Sequence, residues 1–344
     1  MDRLNLVPKP ARRATWLVLR WAVGIGIVIG LLLHFDARGI VEQLRSADLP
    51  LAFPALVGLV AIHLVGAFTW RDLARRLSAI SLGLGEAIRR YYMAQAIGAL
   101  TPANLGADAY RLIGEEGGDA RYGWRQMLLP VLVQRITSSI ALAGLGLVAL
   151  ALLPAGGAAN GAALAILVLA AGSTALIVTV QRGGRASRWF RSPWRRGATE
   201  LAAEPADPAV AGKAGSRATL VAVAVGLSLG LAFHAGSVLL SYVLVLSVGV
   251  SGSPVTVLAC LVVARLSILI PISPSGLGIQ EGALSVLFLS IGLPAETALE
   301  ASLLNRLALI VTTLLGAGLM LLARRPRRAG SPSGLRARAP GRVP

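Results

Sequence analysis

Seven apolar runs govern what this chain can fold into. They lie at Trp16–Leu33, Leu49–Thr69, Met127–Leu153, Ala162–Val180, Ala218–Val248, Val255–Ile272 and Ala295–Ala323. A helix of roughly 20 apolar residues crosses about 30 Å of hydrocarbon. It also satisfies its own backbone hydrogen bonds, which lipid cannot do for it. Two further stretches are weaker: Ala87–Leu105 carries Arg89 and Arg90 near its start, and Gly282–Ile291 makes only a half-span. With 55% of residues hydrophobic and 14% charged, a cytosolic enzyme, a secreted disulfide scaffold and a disordered protein are excluded. The expected fold is all-α, a polytopic membrane bundle of about eight helices.

The formal net charge of +17 would suggest nucleic acid in a soluble protein. Here the basic residues sit in alternate connections. Segments 1–15, 70–90, 108–126, 181–217 and 324–344 hold four, five, three, eight and seven Lys or Arg. Segment 34–50 holds two, and 154–161, 249–254 and 292–301 hold none. The positive-inside rule then places both termini and the Arg182–Arg217 loop in the cytoplasm. No nucleic-acid partner is expected, since no reading motif accompanies the charge. Anionic lipid heads are the expected neighbours of the basic loops.

The first run follows Arg3, Lys9, Arg12 and Arg13, but no small-residue cleavage site comes after it. It reads as a retained signal anchor. The domain plan is a basic N-terminus at 1–15, a membrane domain at 16–323 that includes the basic loop 181–217, and a disordered basic tail at 324–344. No cofactor or metal is expected. Cys260 is alone, and His34, His63 and His234 have no metal-ligand spacing.

Four cations lie inside apolar runs: Arg20, Arg135, Arg265 and Arg306. Each costs about 2.5–3.5 kcal/mol on insertion scales. Arg20 is near the cytoplasmic end of its run and can snorkel. Arg135 is deeper, and both snorkelling and a polar role stay open for it. Arg265 lies ten residues from the start of its run and seven from its end, and Arg306 eleven or more from either end, where a buried polar role is favoured. Among the acids, Glu281 lies deep in an apolar stretch and Asp108 at the edge of another.

Two glycine-proline stretches interrupt the apolar pattern. Pro102-Ala-Asn-Leu-Gly106 and Pro274-Ser-Gly276-Leu-Gly278 match at an offset of 172 residues, half the chain. Broken helices at membrane depth are tolerated only inside protein or beside a wet cavity. Paired breaks in corresponding halves point to a transporter's binding site. The flanking charges suggest one hairpin entering from the cytoplasm and one from outside, an inverted re-entrant pair. The alternative is two ordinary loops at the membrane surface.

These stretches carry a family resemblance. Thr101-Pro102 through Asp108-Ala-Tyr-Arg111, Pro271 through Glu281-Gly282, and the pair Asn305-Arg306 resemble the membrane domain of the lysylphosphatidylglycerol synthase/flippase family. The resemblance covers about residues 15–323. It departs in small ways, with Gly106-Ala107 and Ser275-Gly276 where glycine pairs are usual. It implies a multi-pass bacterial inner-membrane protein that moves or handles a lipid. It does not imply the synthase chemistry of full-length members, whose soluble aminoacyl-transfer domain has no counterpart after Ala323.

The leading expectation is a lipid translocase, not an enzyme, that handles a polar, phosphate-bearing head group. Arg265, Arg306, Arg111 and Arg135 would line its groove, with Asn305, Asp108 and Glu281 beside them. Arginine suits phosphate because its planar fork donates two parallel bonds and stays charged. Glu281 is expected to pair with Arg265, to meet substrate, or to cap its helix. Two alternatives stand beside this. One is a scaffold whose basic loop docks a cytoplasmic enzyme of a lipid or lipid-linked glycan pathway. The other is an intramembrane transferase using Asp108 or Glu281 as general base. The lipid, the direction and energy source of transport, and the oligomeric state are not encoded in any motif.

Overall fold

The computed structural model describes residues 47–101, 103–113, 124–153, 160–161, 163–168, 171–172, 175, 216–270 and 272–323. The first apolar run, most of Ala162–Val180, most of the loop 181–217, the tail 324–344, Pro102 and Pro271 lie outside these residues. Among the described residues the ordered elements are helices: α1 (Leu49–Ala61), α2 (His63–Ser78), α3 (Leu84–Ala99), α4 (Leu105–Ile113), α5 (Trp124–Leu152), α6 (Ser216–Ser247), α7 (Pro254–Leu266), α8 (Ile279–Ser290) and α9 (Ala295–Ala323). A short 3-10 turn, Ser267–Leu269, extends α7.

Four spans are long and apolar enough to cross a membrane: Leu49–Ser78, Gln126–Leu152, Arg217–Ser247 and Ala295–Ala323. The first combines α1 and α2, whose joint at Ile62 keeps right-handed helical angles, φ −58° and ψ −24°. Large apolar side chains face outward along these spans. Phe53, Leu220, Leu314 and Leu321 are each about two-thirds exposed. Such a belt is unfavourable in water and suited to lipid. The protein is a multi-pass helical membrane protein.

The four shorter helices form the two expected interruptions. α3 leads through residues 100–101 and 103–104 into α4, and α7 through 267–270 and 272–278 into α8. At 1.5 Å per residue the longest of the four, α3, is about 24 Å, short of the bilayer's hydrocarbon. Each hairpin has its own core. Trp70, Ala74, Tyr91, Met127 and Val131 pack around the first. Cys260, Val263, Leu287, Phe288, Ala298 and Ala301 pack around the second.

The long helices show how the hairpins are opposed. The start of α9, at Ala298 and Ala301, packs on α7 and α8. Its later turn at Gly316 backs onto Tyr92 and Ala96 of α3. Likewise α5 carries Met127 and Val131 in the first core, and Ala149 in the second. The hairpins therefore occupy opposite ends of the same two helices, and their tips meet between. Ser275 Oγ donates to the Ala99 carbonyl at 3.2 Å.

Glycine in α6 does a different job from the one its length suggests. This helix has 32 residues, and Gly226, Gly230 and Gly236 are natural places for a bend. The helix instead runs unbroken, and these positions admit neighbours. A β-carbon at Gly230 would lie 3.1 Å from the Ser138 backbone, and one at Gly236 3.0 Å from Ile62. Small residues let membrane helices approach closely, and that is their role here.

Candidate functional site

The two breaks share a backbone shape as well as a sequence pattern. Ala103 and Asn104 have φ of +48° and +59°. At the same 172-residue offset, Ser275 and Gly276 have φ of +47° and +69°. Left-handed angles are rare for residues with a β-carbon, so their recurrence at matched positions marks a repeated turn.

The bonds around each turn repeat too. In the first half Arg135, on α5, donates through Nη2 to the Ala103 carbonyl at 3.0 Å and through Nη1 to Asp108 at 2.5 Å. In the second half Arg306, on α9, donates through Nη1 to the Ser275 carbonyl at 3.2 Å. Its Nε and Nη2 reach Glu281 Oε1 at 3.0 and 2.5 Å. Each long helix following a hairpin thus clamps the hairpin's tip with one arginine. That arginine holds the tip's left-handed carbonyl and the carboxylate at the start of the returning helix.

Glu281 does two jobs at once. Its Oε2 accepts the Gly278 backbone N–H at 2.8 Å, capping α8, while Oε1 takes Arg306. Gly278 itself sits at φ +79°. The expected Glu281–Arg265 pair does not form. The sequence separates Arg265 and Glu281 by one turn, but Arg306 enters from the following helix and occupies the carboxylate. Glu281 is 2% exposed and lies behind Arg306.

Gly106 differs from its expected part as well. It lies in the first turn of α4, and its amide donates to Thr101 Oγ1 at 2.7 Å. The left-handed angles of the first break fall two and three residues earlier. A β-carbon at Gly106 would meet the Ile97 carbonyl at 2.8 Å, so Gly106 serves close packing. Pro274 is buried at the second tip. Pro102 lies outside the described residues.

Between the tips is a cavity of about 280 Å³. Its walls include all four expected arginines, Arg111, Arg135, Arg265 and Arg306, together with Asp108 and Asn305. Arg111 pairs with Asp108 and donates to Gln134 Oε1 at 2.7 Å. Gln134 Nε2 in turn donates to the Gly66 carbonyl at 2.9 Å, tying the group to α2. Asn305 accepts from Ser241 Oγ at 2.7 Å and donates to the Ala301 carbonyl at 3.0 Å. Arg135 therefore does not snorkel; it points into the protein.

Arg265 stands apart. Among the described residues no carboxylate pairs with it. Its guanidinium lies 5.8 Å from the centre of the Phe233 ring, and its Nε is 3.5 Å from His234 Nδ1. His234 Nε2 is 2.9 Å from Ser138 Oγ. With Nδ1 facing a donor, the ring's proton belongs on Nε2, directed at the serine. His63 also lines the cavity, and Phe233 lies between the two imidazoles at 5.7 and 5.1 Å.

His63, His234, Tyr91, Phe233 and Gln134 were not singled out for this site from the sequence. The signal for the histidines was available: their spacing is one residue short of the 172-residue repeat. No group of three metal-binding side chains occurs among the described residues.

The family model described as the lysylphosphatidylglycerol synthase TM region matches residues 18–316. No curated protein and no solved structure gives a match.

Proposed function

Since the chain belongs to the lysylphosphatidylglycerol synthase TM region family, we propose that it is a lipid translocase of the bacterial inner membrane, with both termini cytoplasmic. The observation that carries this reading is the arginine-walled cavity held between two repeat-related clamps. A polar head group crossing hydrocarbon needs a path where its charge keeps partners. The cavity supplies guanidinium donors for a phosphate, and Leu59, Ile62, Leu142 and Leu269 supply apolar wall for the first methylenes of a tail.

The repeat suggests how access alternates. Hairpins at opposite ends can rock in turn against the long helices. Each Arg clamp fastens one tip, so releasing one while the other holds opens one side. A carrier is favoured over an enzyme because the two acids at the breaks, Asp108 and Glu281, are already held by arginines, which leaves neither poised as a general base.

The test is reconstitution into liposomes carrying fluorescent phosphatidylglycerol. A translocase raises the dithionite-accessible fraction with time and yields no new lipid by mass spectrometry. Unchanged sidedness in correctly folded proteoliposomes would overturn the proposal. A new lipid product would identify a transferase, and neither change would favour a scaffold with an enzyme partner.

A further inference from the structure

The carboxylate in the cavity wall and the aromatic faces of Tyr91 and Phe233 are already taken by the cavity's own arginines. The wall holds one carboxylate, Asp108, and both Arg111 and Arg135 bond to it. Aromatic faces bind ammonium groups when open, but Arg111 lies 5.4 Å from the Tyr91 ring centre and Arg265 covers Phe233. The amide oxygens of Gln134 and Asn305 accept from Arg111 and Ser241.

Donors, by contrast, are left over. Arg135 Nε is buried without a partner. Neither terminal nitrogen of Arg265 bonds to a described residue. Four guanidiniums stand against Asp108 and the Glu281 behind Arg306, so the site carries a surplus of two positive charges. Desolvated charge of that kind calls for a compensating anion.

Resting on the translocase reading, we infer that the head group taken here is a lipid phosphomonoester, and that head groups bearing an ammonium are rejected. A phosphomonoester carries about −1.5 to −2 charges at neutral pH with three acceptor oxygens. That matches the surplus in both charge and kind. A phosphodiester such as phosphatidylglycerol supplies half of it. A lysyl ester adds two ammonium groups that would face a wall already in positive surplus, whose carboxylate is held by two arginines. Size points the same way: 280 Å³ is at the lower end of small-molecule sites, about 300–1,000 Å³, and leaves no room for a large glycan.

The test is competition for the wild-type protein in nanodiscs, read by native mass spectrometry. Phosphatidic acid, phosphatidylglycerol and lysyl-phosphatidylglycerol of matched acyl chains are offered together. Phosphatidic acid should be retained at least ~10-fold over the lysyl lipid, with phosphatidylglycerol between them. Arg265→Gln should reduce the preference for phosphatidic acid over phosphatidylglycerol, while a surface control, Arg75→Gln, should keep it. Millimolar inorganic phosphate should not displace the lipid. Equal or stronger retention of the lysyl lipid would overturn the inference, and so would displacement by inorganic phosphate. Either result leaves translocation itself to the sidedness assay, so the two readings fail separately.

Discussion

The hydroxyl of Ser275 and the carbonyl of Ala99 meet at 3.2 Å across 176 residues of sequence. This contact joins the tip of the second hairpin to the end of α3, so neither hairpin can withdraw without parting from the other. Cysteines at 99 and 275, in a Cys260→Ser background, should therefore be joined by a short bifunctional maleimide. The joined protein should lose lipid movement, and reagent on either single cysteine should not stop it. Failure to cross-link in membranes would mean that the tips do not meet.

Arg306 and Glu281 should be coupled energetically, and Arg265 and Glu281 should not. Removing one partner of a buried ion pair costs about 3–5 kcal/mol. Arg306 retains 15% exposure, so the lower part of that range is expected. A double-mutant cycle with alanine at 281 and 306, read by thermal unfolding in detergent, should give coupling above about 1 kcal/mol. A value below about 0.5 kcal/mol would reject the clamp. The matching cycle with Arg265 should be close to additive.

Two glycines one half-turn apart on α9 should respond oppositely. Gly316 lies against the Tyr92 carbonyl, whereas Gly318 faces open space. Gly318→Ala should hold or raise the melting temperature, because alanine favours a helix over glycine by ~1 kcal/mol. Gly316→Ala should lower it, since the obstruction is backbone and cannot rotate away. Equal melting temperatures would contradict the packing of α3 on α9.

Ala103 should tolerate glycine and not valine. Its φ of +48° costs an L-residue roughly 1–2 kcal/mol, and a β-branched side chain more. Ala103→Gly should leave stability within about 1 kcal/mol of the parent. Ala103→Val should lose more than that and weaken the Arg135 contact. Denaturation monitored by tryptophan fluorescence distinguishes them.

Much of this was legible in the sequence because membrane helices announce themselves by length. The four spans coincide closely with the apolar runs. The breaks were readable from proline and glycine, and Arg135, Arg265 and Arg306 from the cost of a charge inside an apolar run, while Arg111 was legible only through the stretch at the first break. What could not be read was partner choice. Arg265 precedes the second break and Glu281 follows it, so local geometry favoured their union. Arg306 wins because α9 folds back along the hairpin, a tertiary relation with no local signature. The aromatic cover on Arg111 and Arg265 was hidden for the same reason: Tyr91 and Phe233 come from α3 and α6.

The two-charge surplus in the cavity also has an electrical side. Moving one elementary charge through the full membrane potential is worth about 2.3 kcal/mol per 100 mV. With a doubly charged phosphate bound, the cavity is nearly neutral, and its reorientation is blind to voltage. Empty, it carries its surplus through whatever part of the field the moving hairpins cross. Clamping the potential of proteoliposomes with valinomycin should then alter multiple turnovers and spare the first. The membrane potential would act as a drive on the unloaded return stroke, so that the cell's resting voltage sets the direction of net lipid flow without any ion travelling alongside.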